Sequence, residues 1–367
     1  MEAGLLLVPG PVPLHPRVAE ELAKPALPHY GDAWVRTYGE VLELLRYTWA
    51  APTSRVFPVV GPGHAGLESL AFTFLRPGDR AIVLDNGFFG GRMAEVLRTH
   101  HVHVDVVRAE WGAGFDASAV RVALREPARV LAVVHNETST GVTNPLEALI
   151  EMAHERDVFV LVDAVSSLAG LPLPSESWGV DAAFSASQKC LAAPAGFSPV
   201  VVARSLWESC DPRGVEGWLL NLFTWDKYER EWGEWHPTPT TVSSNLFYAF
   251  HRALRLVKEE GLEARIERHA RMAARLRGGL SELGFRDVAA EGQSSNTVVC
   301  VAPPPGVEAN DLVRRLREEH RIYISGGLGP LRGRAIRIGA MGTQAEPDVV
   351  DTFLEAMRSV VRSLRGG

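Results

Sequence analysis

The chain has 367 residues, 46% of them hydrophobic and 22% charged, with a formal net charge of −6. That length allows two domains around a large core, and the acidic balance argues against a nucleic-acid binder, which carries a basic footprint. No apolar run is long enough to span a bilayer, the opening MEAGLLLVPGPVP lacks the basic start of a signal peptide, and the three scattered cysteines, Cys190, Cys210 and Cys300, fit a cytoplasmic location without disulfides.

Residues 1–12 read as a Pro/Gly-rich arm with little intrinsic structure. Helices are expected over 15–25 and 33–50; in the second, Trp34, Tyr38, Val41, Leu42, Leu45 and Trp49 keep helical spacing. Val56–Val60 reads as a strand, Gly61-Pro62-Gly63-His64-Ala65-Gly66 as a turn, and Leu67–Phe74 as a helix. A glycine turn before a helix can offer N–H groups and a positive dipole end to an anion. A plain tight turn has the same composition. A strand over Ala81–Leu84 leads to Phe88 and Phe89 between Gly87 and Gly90, a pair suited either to core packing or to stacking on a flat ring. A helix near Arg92–Thr99, strands at Val102–Val107 and Val130–Val134, and a helix near Ala117–Arg125 complete this part. The loop from His135 to Val142 is denser in hydrogen-bonding side chains than a turn requires. A helix over Leu146–Glu155 follows.

The stretch from Asp157 to Gly196 holds two apolar runs, Val158–Val162 and Val180–Phe184, that read as buried strands. Asp163 ends the first; Ser185-Ala186-Ser187-Gln188-Lys189 follows the second. Alternation of strands and helices from 56 to 205 implies a mostly parallel sheet, and ligands bind beyond the carboxyl ends of such strands. Residues 212–241 look irregular and end in an extended stretch containing Thr238 and Thr241. Helices are expected over 243–259 and 262–284, then a small α+β unit with strands near 296–301, 321–324 and 335–338 and helices over 308–319 and 346–365. Arg337 sits within the last of these strands.

Lysine is scarce: Lys24, Lys189, Lys227 and Lys258 stand against 34 arginines. A lysine in weakly polar surroundings has a lowered pKa and can act as a nucleophile. Its characteristic partner is an aldehyde cofactor. Pyridoxal phosphate also needs a carboxylate at its ring nitrogen, an anion site and a flat neighbour. Asp163, Gly63 with His64, and Phe89 are candidates for those three needs. Gln188 and the loop around Thr138–Thr140 could bond the phosphate or the ring hydroxyl. An arginine such as Arg337 suits a carboxylate clamp, because its guanidinium binds in bidentate fashion; an alternating strand that exposes one charge would look the same.

The segments GPGHAGLES (61–69), HNETSTGV (135–142), VDAVSSLAG (162–170), SASQKCLAAPAG (185–196) and SGGLGP…IRIGAMG (325–342) resemble the class V aminotransferases of fold type I. Within them the chain is most similar to the alanine–glyoxylate and serine–pyruvate group, along nearly its whole length. The resemblance implies a pyridoxal-phosphate-dependent α/β fold: an arm over 1–20, a large domain over 21–258 with a mostly parallel seven-stranded sheet, and a small C-terminal α+β domain over 259–367. It implies that Lys189 forms the Schiff base with pyridoxal 5'-phosphate and shuttles the proton, and that Asp163 pairs with the ring nitrogen. Val165 and Phe89 would pack on the two ring faces, Ser139 would lie near the ring hydroxyl, and Gln188, Gly63 and His64 would hold the phosphate. Arg337 would hold the substrate carboxylate. Thr241, with Thr238 as its rival, would reach the phosphate of a neighbouring subunit, which implies a homodimer with shared active sites. Pro62 stands where relatives often carry a serine, so one hydroxyl and one N–H donor are missing from the phosphate turn. The implied reaction is ping-pong transfer of an amino group from alanine or serine to glyoxylate or pyruvate. A transaminase for an unusual amine (pyridoxamine, an aminophosphonate or ureidoglycine) and a pyridoxal-phosphate lyase or desulfurase are the alternatives.

Overall fold

The computed structural model describes residues 4–365. The runs Val130–Val134 and Phe159–Asp163 are buried at every position, as expected of strands covered on both faces. Among the described residues, seven strands form the main sheet, in the order Arg55–Val60, Phe197–Val202, Ala182–Phe184, Phe159–Asp163, Val130–Val134, Arg80–Asp85, His103–Arg108. The strands from Ala182–Phe184 to His103–Arg108 are paired in parallel. Phe197–Val202 runs antiparallel to both its neighbours. The mostly parallel seven-stranded sheet expected from the sequence is therefore present.

Helices cover both faces. On one side Trp34, Tyr38, Leu45, Phe247 and Phe250 form a core with the sheet; on the other, Leu67, Phe74, Met93, Leu97 and Trp225 do. A separate core joins Leu276, Leu280, Val299, Ile338 and Phe353. It surrounds a four-stranded sheet in the order Arg286–Asp287, Val298–Ala302, Ile336–Gly339, Ser325–Gly326. Gly261, at φ +86, separates the helix Ser244–Glu260, whose apolar face belongs to the large sheet, from Leu262–Glu282, whose apolar face belongs to the small one.

Several features differ from the sequence reading, among them a helix expected from near Arg92 that begins at Phe88 and a strand at Ser325–Gly326 where a loop was expected. The arm is not structureless: Leu5–Leu6 pairs in parallel with Ile322–Tyr323. Residues 212–241 contain a helix, Leu222–Glu231, that buries Leu222 and Trp225 and is capped by the Asn221 side chain accepting from the Phe223 N–H at 3.0 Å; scattered aromatic and charged residues hide its period. The helix expected from Leu67 begins at Gly63, so Gly63 and His64 form its first turn rather than the loop before it.

That helix can lie close to the sheet because Gly66 has no side chain. A Cβ there would come within 2.2 Å of Ser198 Oγ and 2.8 Å of Phe184 Cβ. Gly66→Ala should therefore overpack the contact and cost about 1–3 kcal/mol, seen as a lowered melting temperature; an unchanged melting curve would show that the helix has room to shift.

Candidate active site

The parallel strands all point their carboxyl ends at one edge of the sheet, and the loops beyond that edge supply the site. They enclose a cavity of about 190 Å³ whose wall includes Gly63, His64, Phe89, Arg92, Asn136, Thr138, Asp163, Val165, Gln188 and Lys189. Asp163 is the last residue of its strand, and Lys189 lies just beyond Ala182–Phe184. A carboxylate and an amine from adjacent strands thus face the same small space.

Burial dominates both groups. It raises the Asp163 carboxyl to about 7, against the pull of the Val165 N–H bonded to Oδ1 at 2.8 Å; the nearby Glu137 adds to the rise and Lys189 opposes it. Burial lowers Lys189 to about 8; Cys190 opposes this, the Arg337 charge adds to it, and Asp163 opposes it. The Lys189 ammonium donates to the carbonyl of Pro9. Gly10 passes so close that a Cβ there would lie 2.4 Å from Lys189 Cδ. The Val12 N–H bonds the Gln188 carbonyl at 3.1 Å, so the arm covers the lysine.

At the other end, Gly63 and His64 open a helix whose first N–H groups have no helical partners, and Pro62 provides no side-chain cap. Gly63 sits tight against Val165, where a Cβ would meet Cγ2 at 3.0 Å. Burial, and then the Arg92 charge, lower the His64 pKa, so its imidazole favours the neutral form. Gln188 Oε1 is buried and has no hydrogen-bond partner among the described residues. An orphaned acceptor and open helix N–H groups around a cavity fit a ligand that is both an anion and a donor.

Arg337 is buried in Ile336–Gly339, with Nε donating to the Gly326 carbonyl at 2.9 Å and Nη1 to the Thr138 carbonyl at 3.4 Å. It does not line the cavity itself but abuts it through Thr138. Ser139 is turned away from the cavity: its hydroxyl donates to Glu137 Oε1 at 2.6 Å and accepts from the Phe88 N–H at 2.9 Å. Its neighbour Thr138 lines the cavity instead, with its hydroxyl donating to Ser166 Oγ at 2.8 Å. Thr238 is fully buried and its hydroxyl donates to the Thr240 carbonyl at 3.1 Å, whereas Thr241 is exposed.

Arg92, Glu137 and Pro9 had not been singled out from the sequence. Arg92 stands three residues after Phe89 on one helix, a spacing that shares a face, and that signal was available. Glu137 was one polar residue among many in its loop. Nothing local marks the Pro9 carbonyl.

The class-V aminotransferase family model matches residues 29–331. The alanine–glyoxylate aminotransferase of Callithrix jacchus is 33% identical over 98% of this chain and 87% of its own. The crystal structure of an alanine–glyoxylate aminotransferase from Nostoc sp. superposes with a TM-score of 0.93 at 33% identity, covering 99% of this chain and 96% of that one. The ureidoglycine–glyoxylate aminotransferase of Bacillus subtilis superposes equally well, with a TM-score of 0.93 at 28% identity over 100% and 95% of the two chains. The chain belongs to the class V aminotransferases, pyridoxal-phosphate-dependent transaminases of fold type I.

Proposed function

We propose that this chain moves an amino group from a small amino acid, alanine or serine, to a small 2-oxo acid, glyoxylate or pyruvate. The observation that carries this reading is the meeting of Asp163 and Lys189 in one cavity with the open helix start at Gly63 and His64. The residues fit pyridoxal 5'-phosphate. The N–H groups of Gly63 and His64 and the carboxamide N–H of Gln188 would hold its phosphate, with Arg92 as a nearby cation in place of the donors that Pro62 removes. Asp163 would pair with its ring nitrogen, Phe89 and Val165 would pack on its faces, and Thr138 rather than Ser139 would approach its hydroxyl. When bound, the cofactor supplies an aldehyde that captures the substrate amine and a ring that withdraws electrons from the α-carbon.

The chain's own groups do the rest. Lys189, its pKa lowered to about 8, has a far larger neutral fraction near neutral pH than an ordinary lysine, and its Nζ takes the α-proton and returns it. Arg337 holds the substrate carboxylate, and the arm over Lys189 excludes water. Exposed Thr241 would reach the phosphate of a neighbouring subunit, which supports a homodimer with shared sites. The separate cores support the division into a large domain over 21–258 and a small one over 259–367. Three free cysteines support a cytoplasmic location.

Glyoxylate appears in the names of both kinds of relative reported above, which supports it as the acceptor. A second reading, ureidoglycine as donor, rests on the Bacillus enzyme's match along the full chain. A desulfurase is disfavoured: burial pushes Cys190 and Cys300 up to about 12 and also raises Cys210, so none is a ready nucleophile.

Alanine, serine and ureidoglycine, each offered with glyoxylate, separate the donors: rapid turnover with alanine or serine is expected, and turnover with ureidoglycine alone would overturn the small-amino-acid reading. Lys189→Ala should abolish both turnover and the visible absorbance band of the cofactor-loaded protein. Arg337→Ala should weaken carboxylate ligands by about 10–100-fold, the equivalent of about 1.5–3 kcal/mol for one charge-assisted contact; unchanged inhibition constants would remove Arg337 from the site. The raised Asp163 pKa also has a stability consequence. Between the ordinary value of 3.8 and about 7 the folded cofactor-free chain binds more protons here than the unfolded chain, so this group's contribution falls as pH rises. Melting temperatures across that range should show cofactor-free Asp163→Asn gaining on the parent protein, with the gap levelling off above pH 7.

A further inference from the structure

Glu137 is a fully buried carboxylate in the two-residue strand Asn136–Glu137, which pairs with Val142–Thr143. Its Oε2 accepts from the N–H groups of Phe89 and Gly90, both at 3.1 Å. Its Oε1 accepts from the Ser139 N–H at 3.0 Å and the Ser139 hydroxyl at 2.6 Å. The same hydroxyl receives the Phe88 N–H at 2.9 Å. Phe88, Phe89 and Gly90 open the helix Phe88–Thr99, and Gly87 before them provides no side-chain cap. The helix start is therefore capped from a distant hairpin. A carboxylate suits that place, because the first turn presents unpaired N–H donors and the positive end of the dipole.

Gly87 makes the contact possible. A Cβ there would lie 2.4 Å from Glu137 Cγ and 2.5 Å from both Glu137 Cδ and Ser139 Oγ. A serine or aspartate at position 87, the usual local solution, would collide with the group now doing the capping. What the distant cap adds is a link between two walls of the cavity. The helix start carries Phe89, and the hairpin carries Thr138, whose carbonyl receives Arg337.

We propose that Glu137 is a positioning residue for amino transfer, locking the Phe89-bearing helix start to the hairpin that seats Thr138 and Arg337. This rests on the cofactor reading above, in which Phe89 packs against the ring. Glu137 is not part of the cavity wall; it acts through Phe89 and Thr138, which are. The carboxamide of glutamine keeps its shape but replaces one acceptor with a donor that faces other donors.

The test uses the full chain loaded with pyridoxal 5'-phosphate, comparing Glu137→Gln, Phe89→Leu and the double variant. Glu137→Gln should change the visible circular dichroism of the bound cofactor and lower kcat by about 10–100-fold with KM within about threefold. The double variant should be little worse than the more impaired single one, because both changes disturb one unit. An unchanged visible dichroism and kcat, with only a lower melting temperature, would reduce Glu137 to a structural cap and overturn the proposal. Additive losses in the double variant would overturn it too. Should Glu137→Gln not fold, Ser139→Ala, which removes one donor to Glu137 and the acceptor for Phe88, must shift the dichroism in the direction that Phe89→Leu shifts it, or the proposal fails. Failure of the parent protein to develop a visible band with pyridoxal 5'-phosphate would instead refute the cofactor reading itself.

Discussion

Desolvation acts in opposite directions on the acid and the amine at the end of the sheet. It raises Asp163 to about 7 and lowers Lys189 to about 8, and in both cases it outweighs their mutual attraction. Two groups that would sit fully charged and well hydrated on a surface are instead close to their own titration points at neutral pH. Lys189 gains a neutral form able to accept a proton. Asp163 gains a stake in any cationic nitrogen brought beside it, since a positive ring restores the charge that burial disfavours. Burial in the wall of one cavity moves both toward their neutral forms.

The parallel sheet achieves this by convergence. Its strand ends lie on one edge, so loops far apart in sequence close over the same point, and helices on both faces leave little solvent beneath. The four-stranded sheet adds Arg337, and with it a charge that helps hold the Lys189 pKa down. The arm adds the Pro9 carbonyl. Arg337, Lys189 and the arm that covers the lysine therefore come from three parts of the chain whose relative placement depends on the interface between two cores.

Much of this was legible in the residues. Unbroken apolar runs mark buried strands, so the position of Asp163 at a strand end followed from the pattern, and the scarcity of lysine drew attention to Lys189. Regular alternation marked the parallel sheet. Orientation in the turn was not legible: Thr138, Ser139 and Thr140 form the bend between Asn136–Glu137 and Val142–Thr143, where no two-residue alternation applies, and nothing in TST said that Thr138 and not Ser139 would face the cavity. Distance was not legible either. Glu137 caps a helix that begins at Phe88, and a cap is normally sought beside the helix it serves. Glycines misled in a third way: Gly63 and Gly66 read as a turn, yet both lie in the helix, with Gly63 tight against Val165 and Gly66 against Ser198 and Phe184.

The pairing of Leu5–Leu6 with Ile322–Tyr323 joins the earliest described strand to one near the far end of the chain. Synthesis runs from one end to the other, and domains fold largely as units as they emerge. All seven strands of the main sheet have left the ribosome before Ile322 is made. Until then the segment carrying Pro9 and Gly10 has no strand partner to anchor it beside Lys189. One of the ties that hold the arm over the lysine thus waits on a segment made well after the main sheet.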